Sequence, residues 1–476
     1  MRKTKIVATL GPASSDAETI RAMLAAGMNV VRLNFSHGTH ESHREAIGLF
    51  RQVRGEMNLS AAVMLDTKGP EIRLGLLEGG RALLEPGARF TLTTEQVLGS
   101  AQRVSVNYKE LPGQIAVGTR ILIDDGRIAL RALRVAETEI ECEVETGGPV
   151  MDRKAVNIPG SRLTMPYLRE ADKADLLFGI EKDVDFVAAS FVRRKEDVVT
   201  LRKFLDYHGG HSIRIISKIE NMEGIENFDE ILAVSDGIMV ARGDMGVEVE
   251  YERLPGLQKK FIKACYSAGK MAITATQMLE SMVNSPNPTR AETSDVANAV
   301  FDGTSAVMLS SESAMGKYPV RAVEVMARIA RQAEKDAFAQ DAYRDINYDM
   351  NADDTTAAIC DAACTTASDI RAKVIIAVTK SGTTARRMSK FRPQTPIVAA
   401  TPVEKTYHQL ALSWGVYPVL ARMQRSTDDL FLHAIDCAKQ IDLAQDGDTV
   451  VITGGVPLDT AGTTNILKVQ VVGERN

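Results

Sequence analysis

At 476 residues, 45% of them hydrophobic, 25% charged and 5% aromatic, the chain has the make-up of an ordinary globular protein with enough apolar residues for two or three cores, which excludes a disordered or fibrous one. Its formal net charge of -5 leaves no basic field for nucleic acid or an anionic membrane, and no apolar run approaches the ~18 residues of a membrane span. Five scattered cysteines (Cys142, Cys265, Cys360, Cys364, Cys437) form no disulfide framework, and residues 1–4 lead directly into a strand-like segment without a signal-peptide apolar stretch, so a cytoplasmic protein is expected.

Short apolar runs alternate with helical patterns from the start. Residues 5–10, 28–33 and 61–66 read as strands, with helices over 17–26 and 41–54 between them. Between Asp66 and Met165 the helical period stops. There Ile140, Cys142 and Val144 alternate with Glu139, Glu141, Glu143 and Glu145, the period of a half-exposed strand, and Asp124-Asp125-Gly126 supplies a turn. This stretch reads as an inserted β domain that leaves through Asn157-Ile158-Pro159-Gly160 and hangs over the barrel mouth as a hinged lid. Strand patterns resume at 184–190, 213–219, 237–242, 271–276 and 306–309, with helices over 195–207 and 257–268. Eight such strands predict a (β/α)8 TIM barrel, whose strands are buried on both faces. A long helical pattern over 320–338 and an acidic linker over 340–354 precede further strands at 374–378, 396–400, 449–453 and 467–472, a smaller α/β sheet. The expected division is barrel 1–69 and 167–344, β-barrel-like lid 70–166, and C-terminal α/β regulatory domain 345–476.

In such a barrel the working groups lie at the C-terminal ends of the strands. Strand two ends in Arg32-Leu33-Asn34-Phe35-Ser36-His37, strand three in Asp66-Thr67-Lys68, strand five in Lys218-Ile219-Glu220-Asn221, strand six in Arg242-Gly243-Asp244 and strand seven in Thr276. These are cations and oxygen ligands, with neither a Cys-His zinc set nor a Ser-His-acid arrangement. Glu220 and Asp244 suit a hard divalent ion such as Mg²⁺, while Lys218 and Arg32 add positive charge at the same mouth. Together they suit a multiply charged anion and phosphoryl transfer, which depends on positioning and charge neutralisation. Rim salt bridges would account for any one of these residues, but five strand ends agree. His37, His40 and His43, spaced as if on one helix, read as helix-start polarity and not as a zinc cluster, and Cys360 and Cys364 read as buried packing. No P-loop motif occurs, so a nucleotide would be held otherwise.

Around these strand ends the chain resembles pyruvate kinases, in TKIVATLGPAS (4–14), MNVVRLNFSHG (28–38), LDTKGPEIR (65–73), ISKIEN (216–221), GIMVARGDMG (237–246), ATQMLESM (275–282) and 288–304. The resemblance implies a glycolytic phosphotransferase that converts phosphoenolpyruvate and ADP to pyruvate and ATP. On it, Glu220 and Asp244 would hold Mg²⁺ (or Mn²⁺), and Gly243 with Thr276 would seat the substrate carboxylate. Lys218 would stabilise the phosphoryl group in flight and the enolate, Arg32 would grip the phosphoryl group, and Thr276 would position the protonating water. Arg73 and Lys154, with Asn34 and His37, would meet the nucleotide. Asn34, Ser36, Asp66 and Thr67 would hold K⁺, whose requirement goes with Glu71. A homotetramer is implied too. The family usually has Gly at Ala155, Asp at Ser305 and Gly at Ser311, so Ala155 bears on the lid contact beside Lys154. A Mg²⁺-dependent barrel lyase acting on a 2-oxo acid is the alternative from the residues alone; the inserted β domain and Lys154 argue against it.

In the C-terminal part, Lys380-Ser381-Gly382-Thr383-Thr384 joins a strand to a helix carrying Arg386 and Arg387, presenting N–H groups and hydroxyls to an anion. The place matches the effector loop of pyruvate kinases, although Ser and Thr there also serve as helix caps. A second loop, 454–462, contains Asp459 and no cation, so a phosphorylated effector with one phosphate is expected and fructose 1,6-bisphosphate should be weak or inert.

Overall fold

The computed structural model describes residues 1–343, 354–457 and 464–474. The eight apolar runs close into a parallel barrel in which Lys5–Thr9, Val30–Asn34, Ala62–Asp66, Phe186–Ala189, Arg214–Ile219, Gly237–Ala241, Met271–Ala275 and Ala306–Leu309 follow one another around the ring. Side chains alternate between two layers, as the strand period requires. Val7, Met64, Phe186, Ile216, Met239 and Met308 fill the inside, whereas Ile6, Ala8, Val63, Ile215 and Val240 pack outward against the helices. Continuous apolar strands are therefore needed, and this is why periodicity of two is absent from them.

Most expected strand boundaries move by one or two residues, and one of these shifts bears on the site. The sixth strand stops at Ala241, and Arg242 opens a short helix, Arg242–Glu248, that places Gly243 and Asp244 in its first turn. Met245 is its one buried residue, so it leaves no hydrophobic period to read.

Between the third and fourth barrel strands the chain builds a seven-stranded sheet in the order Ile72–Arg73, Ala155–Asn157, Arg120–Ile123, Ile128–Val135, Glu139–Thr146, Arg89–Thr93, Arg103–Ser105, antiparallel except for the last pair. Cys142 and Val144 face its separate apolar core with Phe90, Leu92 and Ile121. Glu141 and Glu143 pair in register with Arg134 or Thr91 and with Arg131 or Arg89, on the solvent side.

The C-terminal sheet runs Val416–Leu420, Ile397–Thr401, Val374–Val378, Thr449–Gly454, Ile466–Val471, parallel but for the last strand. The strand Val416–Leu420 was not expected from the sequence. Pro418 argues against a central strand, but at the sheet edge its missing N–H costs no ladder bond. This unit abuts the base of the barrel. Leu412 joins the inner barrel cluster, Lys5 Nζ donates to the Val416 carbonyl at 2.6 Å, and Gln409 Nε2 donates to the Asp185 and Ser212 carbonyls at 3.1 and 2.8 Å. All five cysteines are buried and unpaired. Among the described residues no helix is long and apolar enough to cross a membrane.

The same junction carries a pH-sensitive histidine. His408, on the helix Glu404–Gln409, is 7% exposed, and burial together with Arg54, Arg51 and Lys405 pushes its pKa down to about 3. The fold thus holds it neutral, whereas the unfolded chain protonates it below its ordinary value of ~6.5. Its contribution is complete above that pH and is lost as pH falls toward 3, at up to about 1.4 kcal/mol per pH unit. Denaturant unfolding at pH 6.5 and pH 5 should show wild type losing about 2 kcal/mol more than His408→Asn over that interval.

Candidate active site

The C-terminal ends of the strands and the lid enclose a cavity of ≈ 310 Å³. Asp66, the last residue of the third strand, sits at its floor between two cations. Arg32 Nε meets its Oδ2 at 2.6 Å and Lys218 Nζ its Oδ1 at 3.2 Å. Burial alone would raise the Asp66 pKa, but Arg32 and Lys218 outweigh it and hold the carboxyl below its ordinary range. Lys218 also reaches Glu220 Oε1 at 2.8 Å and the Ser190 hydroxyl at 2.8 Å. For Lys218 burial would favour the neutral amine; Asp66 and Glu220 overcome it and raise its pKa above that of an ordinary lysine, so it stays charged.

Glu220 and Asp244 behave in the opposite way. Burial pushes Glu220 up, against Lys218 and with the charge of Asp244 adding to the push, and burial likewise raises Asp244, with Asp125 and Glu71 contributing repulsion. The Glu220 carboxylate is fixed by the Phe191 N–H at 2.6 Å. Two carboxylates, one buried and one half-buried, whose pKa values are raised in the free protein are what a divalent cation would stabilise. Among the described residues no group of three or more His, Cys, Asp or Glu could hold a metal by itself, so such an ion would take further oxygens from its substrate.

The seventh strand reaches the same rim. The Gly243 N–H donates to Thr276 Oγ1 at 2.7 Å, and that hydroxyl donates to the Ala275 carbonyl at 2.6 Å. Thr276 and Gln277 have φ of 67° and 54°, and Phe191 53°. Non-glycine residues in this region cost about 1–3 kcal/mol each, and three of them cluster at this mouth. Arg242 turns away from the cavity to brace the turn, with Nη2 on the Thr276 carbonyl at 2.7 Å and Nη1 on Asp295 at 2.7 Å. Its charge is paired with Asp295, and its second nitrogen braces the Thr276 backbone.

From the lid, Arg73 and Lys154 face the cavity, held by Glu71 at 2.7 Å and by Asp124 Oδ1 at 2.6 Å. Glu71 is raised by burial, against the pull of Arg73. Ala155 pairs with Arg73 in the sheet and lines the cavity, whereas Ser305 accepts from the Ala272 N–H at the barrel base and Ser311 opens the helix Ser311–Ala314. Asn34, Ser36 and His37 also line the cavity. Thr67 lies behind it, its hydroxyl accepting from the Ser190 N–H at 3.1 Å. The three histidine rings have different partners: His37 precedes the helix His40–Glu56, His40 meets Asp175 at 2.6 Å, and His43 stacks on Phe35 with Nε2 2.9 Å from the His37 carbonyl.

Sequence reasoning missed Ser190, Phe191 and the Asp124-Asp125 pair as site residues. Ser190 and Phe191 follow the fourth strand and carry no charge to notice. Asp124 and Asp125 read as a turn, and do turn, with φ of 53° and 56°, but they project carboxylates at the cavity. Lys380, Ser381, Gly382, Thr383 and Thr384 are not part of this site; they lie beyond the opposite end of the barrel. Ser381 Oγ and Thr383 Oγ1 are 2.9 Å apart, Gly382 has φ 78°, and Thr384 Oγ1 meets Thr464 Oγ1 at 2.6 Å. In the second loop, residues 458–462 lie outside the described residues.

The family model "Pyruvate kinase, barrel domain" matches residues 1–323 and "Pyruvate kinase, alpha/beta domain" matches residues 357–470. A protein of Clostridium acetobutylicum named pyruvate kinase is 47% identical over 481 positions, covering 99% of this chain and 100% of the relative. Relatives of the same name from Clostridium perfringens and Staphylococcus haemolyticus are each 46% identical, over 99% and 100% of this chain and 100% and 81% of their own. Matched through both its barrel and its C-terminal unit, and alike over essentially its whole length, the chain belongs to the pyruvate kinase family.

Proposed function

We propose that this site moves the phosphoryl group of phosphoenolpyruvate onto ADP, giving pyruvate and ATP, with Mg²⁺ (or Mn²⁺) and K⁺. The observation that supports it best is one cavity with two cationic walls, Arg32 and Lys218 on the barrel and Arg73 and Lys154 on the lid, one for each phosphate-bearing substrate. A coupled assay that detects ATP from phosphoenolpyruvate and ADP tests it; ATP-independent cleavage of a 2-oxo acid would instead support a lyase.

In this reading Lys218, permanently charged, stabilises the phosphoryl group in transit and the enolate, and Arg32 holds the phosphoryl oxygens. The substrate carboxylate takes the Gly243 N–H from Thr276, whose hydroxyl is then free to position the proton donor for the enolate carbon. Arg73 and Lys154, with Asn34 and His37, bind the nucleotide. Glu220 and Asp244 hold the divalent ion, which supplies charge neutralisation.

Asn34 and Asp66 are register partners on adjacent strands, and with Ser36 and Thr67 they are the proposed K⁺ ligands. The half-buried Glu71 lines the same cavity. Turnover is expected to require K⁺, and Glu71→Lys, which puts a fixed cation there, should relax that need. Steady-state rates in KCl and in tetramethylammonium chloride check this, and full wild-type activity without K⁺ would contradict it.

We also propose that the chain works as a homotetramer and that Lys380, Ser381, Gly382, Thr383 and Thr384 bind a phosphorylated effector. Glucose 6-phosphate, ribose 5-phosphate or adenosine 5′-monophosphate should activate at subsaturating phosphoenolpyruvate, with fructose 1,6-bisphosphate weak, and Thr383→Glu with Thr384→Glu should abolish the effect. Activation by the bisphosphate alone would refute this.

A further inference from the structure

The lid is joined to the barrel by two stretches of chain, residues 67–71 leaving the third strand and residues 158–169 returning to the helix Glu170–Glu181. Neither apolar core holds them throughout. On the outgoing side the barrel core ends at Leu65 and the lid core begins at Ile72, and on the returning side Met165 belongs to the lid core and Tyr167 to the barrel core. Beside the returning stretch a cavity of ≈ 350 Å³ opens between Ile158 and Leu163 on one side and Met222 and Glu248 on the other, so close packing is not what fixes the lid there.

Two arginines do so. Arg193, in the loop after the fourth strand, is 9% exposed and donates from Nη1 to the Leu163 carbonyl and from Nη2 to the Met165 carbonyl, each at 2.9 Å. Arg169, at the end of the returning stretch, grips the outgoing one: its Nη2 donates to the Gly69 carbonyl and its Nη1 to the Glu71 carbonyl at 3.4 Å. Each arginine is fixed by a buried aspartate in the first turn of the helix that follows it. Asp197 Oδ2 accepts from the Arg193 N–H at 3.0 Å and from its Nε at 3.2 Å, and Asp172 Oδ2 accepts from the Arg169 N–H at 3.1 Å and from its Nε at 3.2 Å. Asp172 Oδ1 also takes the Gly69 N–H at 3.0 Å. A guanidinium can do this because its planar fork presents several N–H donors, enough for a carboxylate and two carbonyls at once. Gly69, with φ 69°, lets the outgoing stretch lie against the end of the fourth strand, since a Cβ there would stand 2.9 Å from the Ser190 carbonyl oxygen.

What these clamps hold gives the second argument. Arg73 follows Glu71 closely, and Lys154 precedes Ala155, the register partner of Arg73, so both lid cations ride on the strands that the clamped stretches lead into. Arg32, Lys218, Glu220 and Asp244 belong to the barrel. Arg169 and Arg193 themselves stand outside the lining of the active-site cavity. A shift at either connection therefore changes the distance between the two walls of that cavity while leaving the groups on each wall as they are.

We infer that Arg169 and Arg193 are positioning residues for the nucleotide: by pinning the two lid connections to the barrel, they set how far Arg73 and Lys154 stand from the barrel groups. This rests on the phosphotransfer reading of the site. Loosening either clamp leaves the barrel wall intact, so it weakens the hold on ADP and not that on phosphoenolpyruvate. Binding lost equally from ground state and transition state raises KM and leaves kcat in place.

The test is steady-state kinetics of the full chain with ADP and phosphoenolpyruvate varied in turn, beside limited trypsin digestion of the substrate-free protein. Arg169→Lys and Arg193→Lys keep a charge next to each aspartate but lose the fork, and Arg193→Met with Asp197→Leu removes a buried pair together, so that no unpaired charge is left. Each variant should raise KM for ADP roughly tenfold, with KM for phosphoenolpyruvate and kcat within about twofold of wild type. Trypsin reads the connections directly, because Lys68 and Arg162 lie on them with side chains 38% and 77% exposed. Cleavage after Lys68 in the Arg169 variant, and after Arg162 in the Arg193 variants, should be roughly tenfold faster, since proteolysis follows local opening. A merely structural role would lower kcat with the folded fraction and leave both KM values unchanged. That result, an equal rise in both KM values, or a raised KM for ADP without faster cleavage overturns the inference and leaves the phosphotransfer reading standing. Wild type that forms no ATP from phosphoenolpyruvate and ADP overturns the reading and the inference with it.

Discussion

Lys218→Met is expected to lower turnover by roughly 10³-fold or more while the protein stays folded. Lys218 is the cation at the end of the fifth strand, 8% exposed, and it touches Asp66, Glu220 and Ser190 at once. Its raised pKa means that the lost group is a full charge at any working pH. Removing a buried cation usually strands its partners, but here each has another. Asp66 keeps Arg32 at 2.6 Å, and Glu220 keeps the Phe191 N–H and, already raised by burial, can take up a proton. Circular dichroism and thermal unfolding should therefore show a native fold with a lowered melting temperature. Turnover within tenfold of wild type would sink the proposed role.

Asp244→Asn should separate activity from stability. The variant keeps the shape of the side chain but loses the charge proposed to hold the divalent ion. Such ions contribute several kcal/mol of transition-state stabilisation, so activity at a fixed Mg²⁺ concentration should fall on the order of 10²-fold or more. Excess Mg²⁺ should recover part of it. In the free protein the effect on folding has the other sign. Burial and the repulsion of Asp125 and Glu71 raise the Asp244 pKa, so its ionised form is less favourable folded than unfolded at neutral pH. Removing that charge should leave the metal-free protein as stable as wild type or more so. The paired measurement is a Mg²⁺ titration of rate beside denaturant unfolding in chelator; a destabilised variant with normal Mg²⁺ dependence would mean that Asp244 is a structural acid.

The barrel was legible because each of its strands is a near-continuous apolar run, a signal that depends on local composition alone, and the lid because Ile140, Cys142 and Val144 alternate with glutamates. The charged strand ends were legible too, since a (β/α)8 barrel collects them at one mouth whatever their separation in sequence. The strand Val416–Leu420 was hidden because Pro418 is tolerated only at a sheet edge, and edge position is a property of the assembled sheet. The short helix Arg242–Glu248 was hidden because one buried residue makes no period. Arg242 read as active-site charge, yet packing turns it onto the Thr276 carbonyl. Ser190 and Phe191 became site residues only through contact, when the fourth strand was laid beside the third and fifth. The clamp on the outgoing lid connection unites residues 100 positions apart, Gly69 and Arg169. Sequence by itself determined which segments must be buried and which residue types reach the barrel mouth, because burial and strand period are local constraints on composition. Tertiary structure alone decided which charges are neutralised, which carboxylates resist ionisation and which guanidinium grips which stretch of backbone, because electrostatic energy depends on distance and burial, and neither is written along the chain.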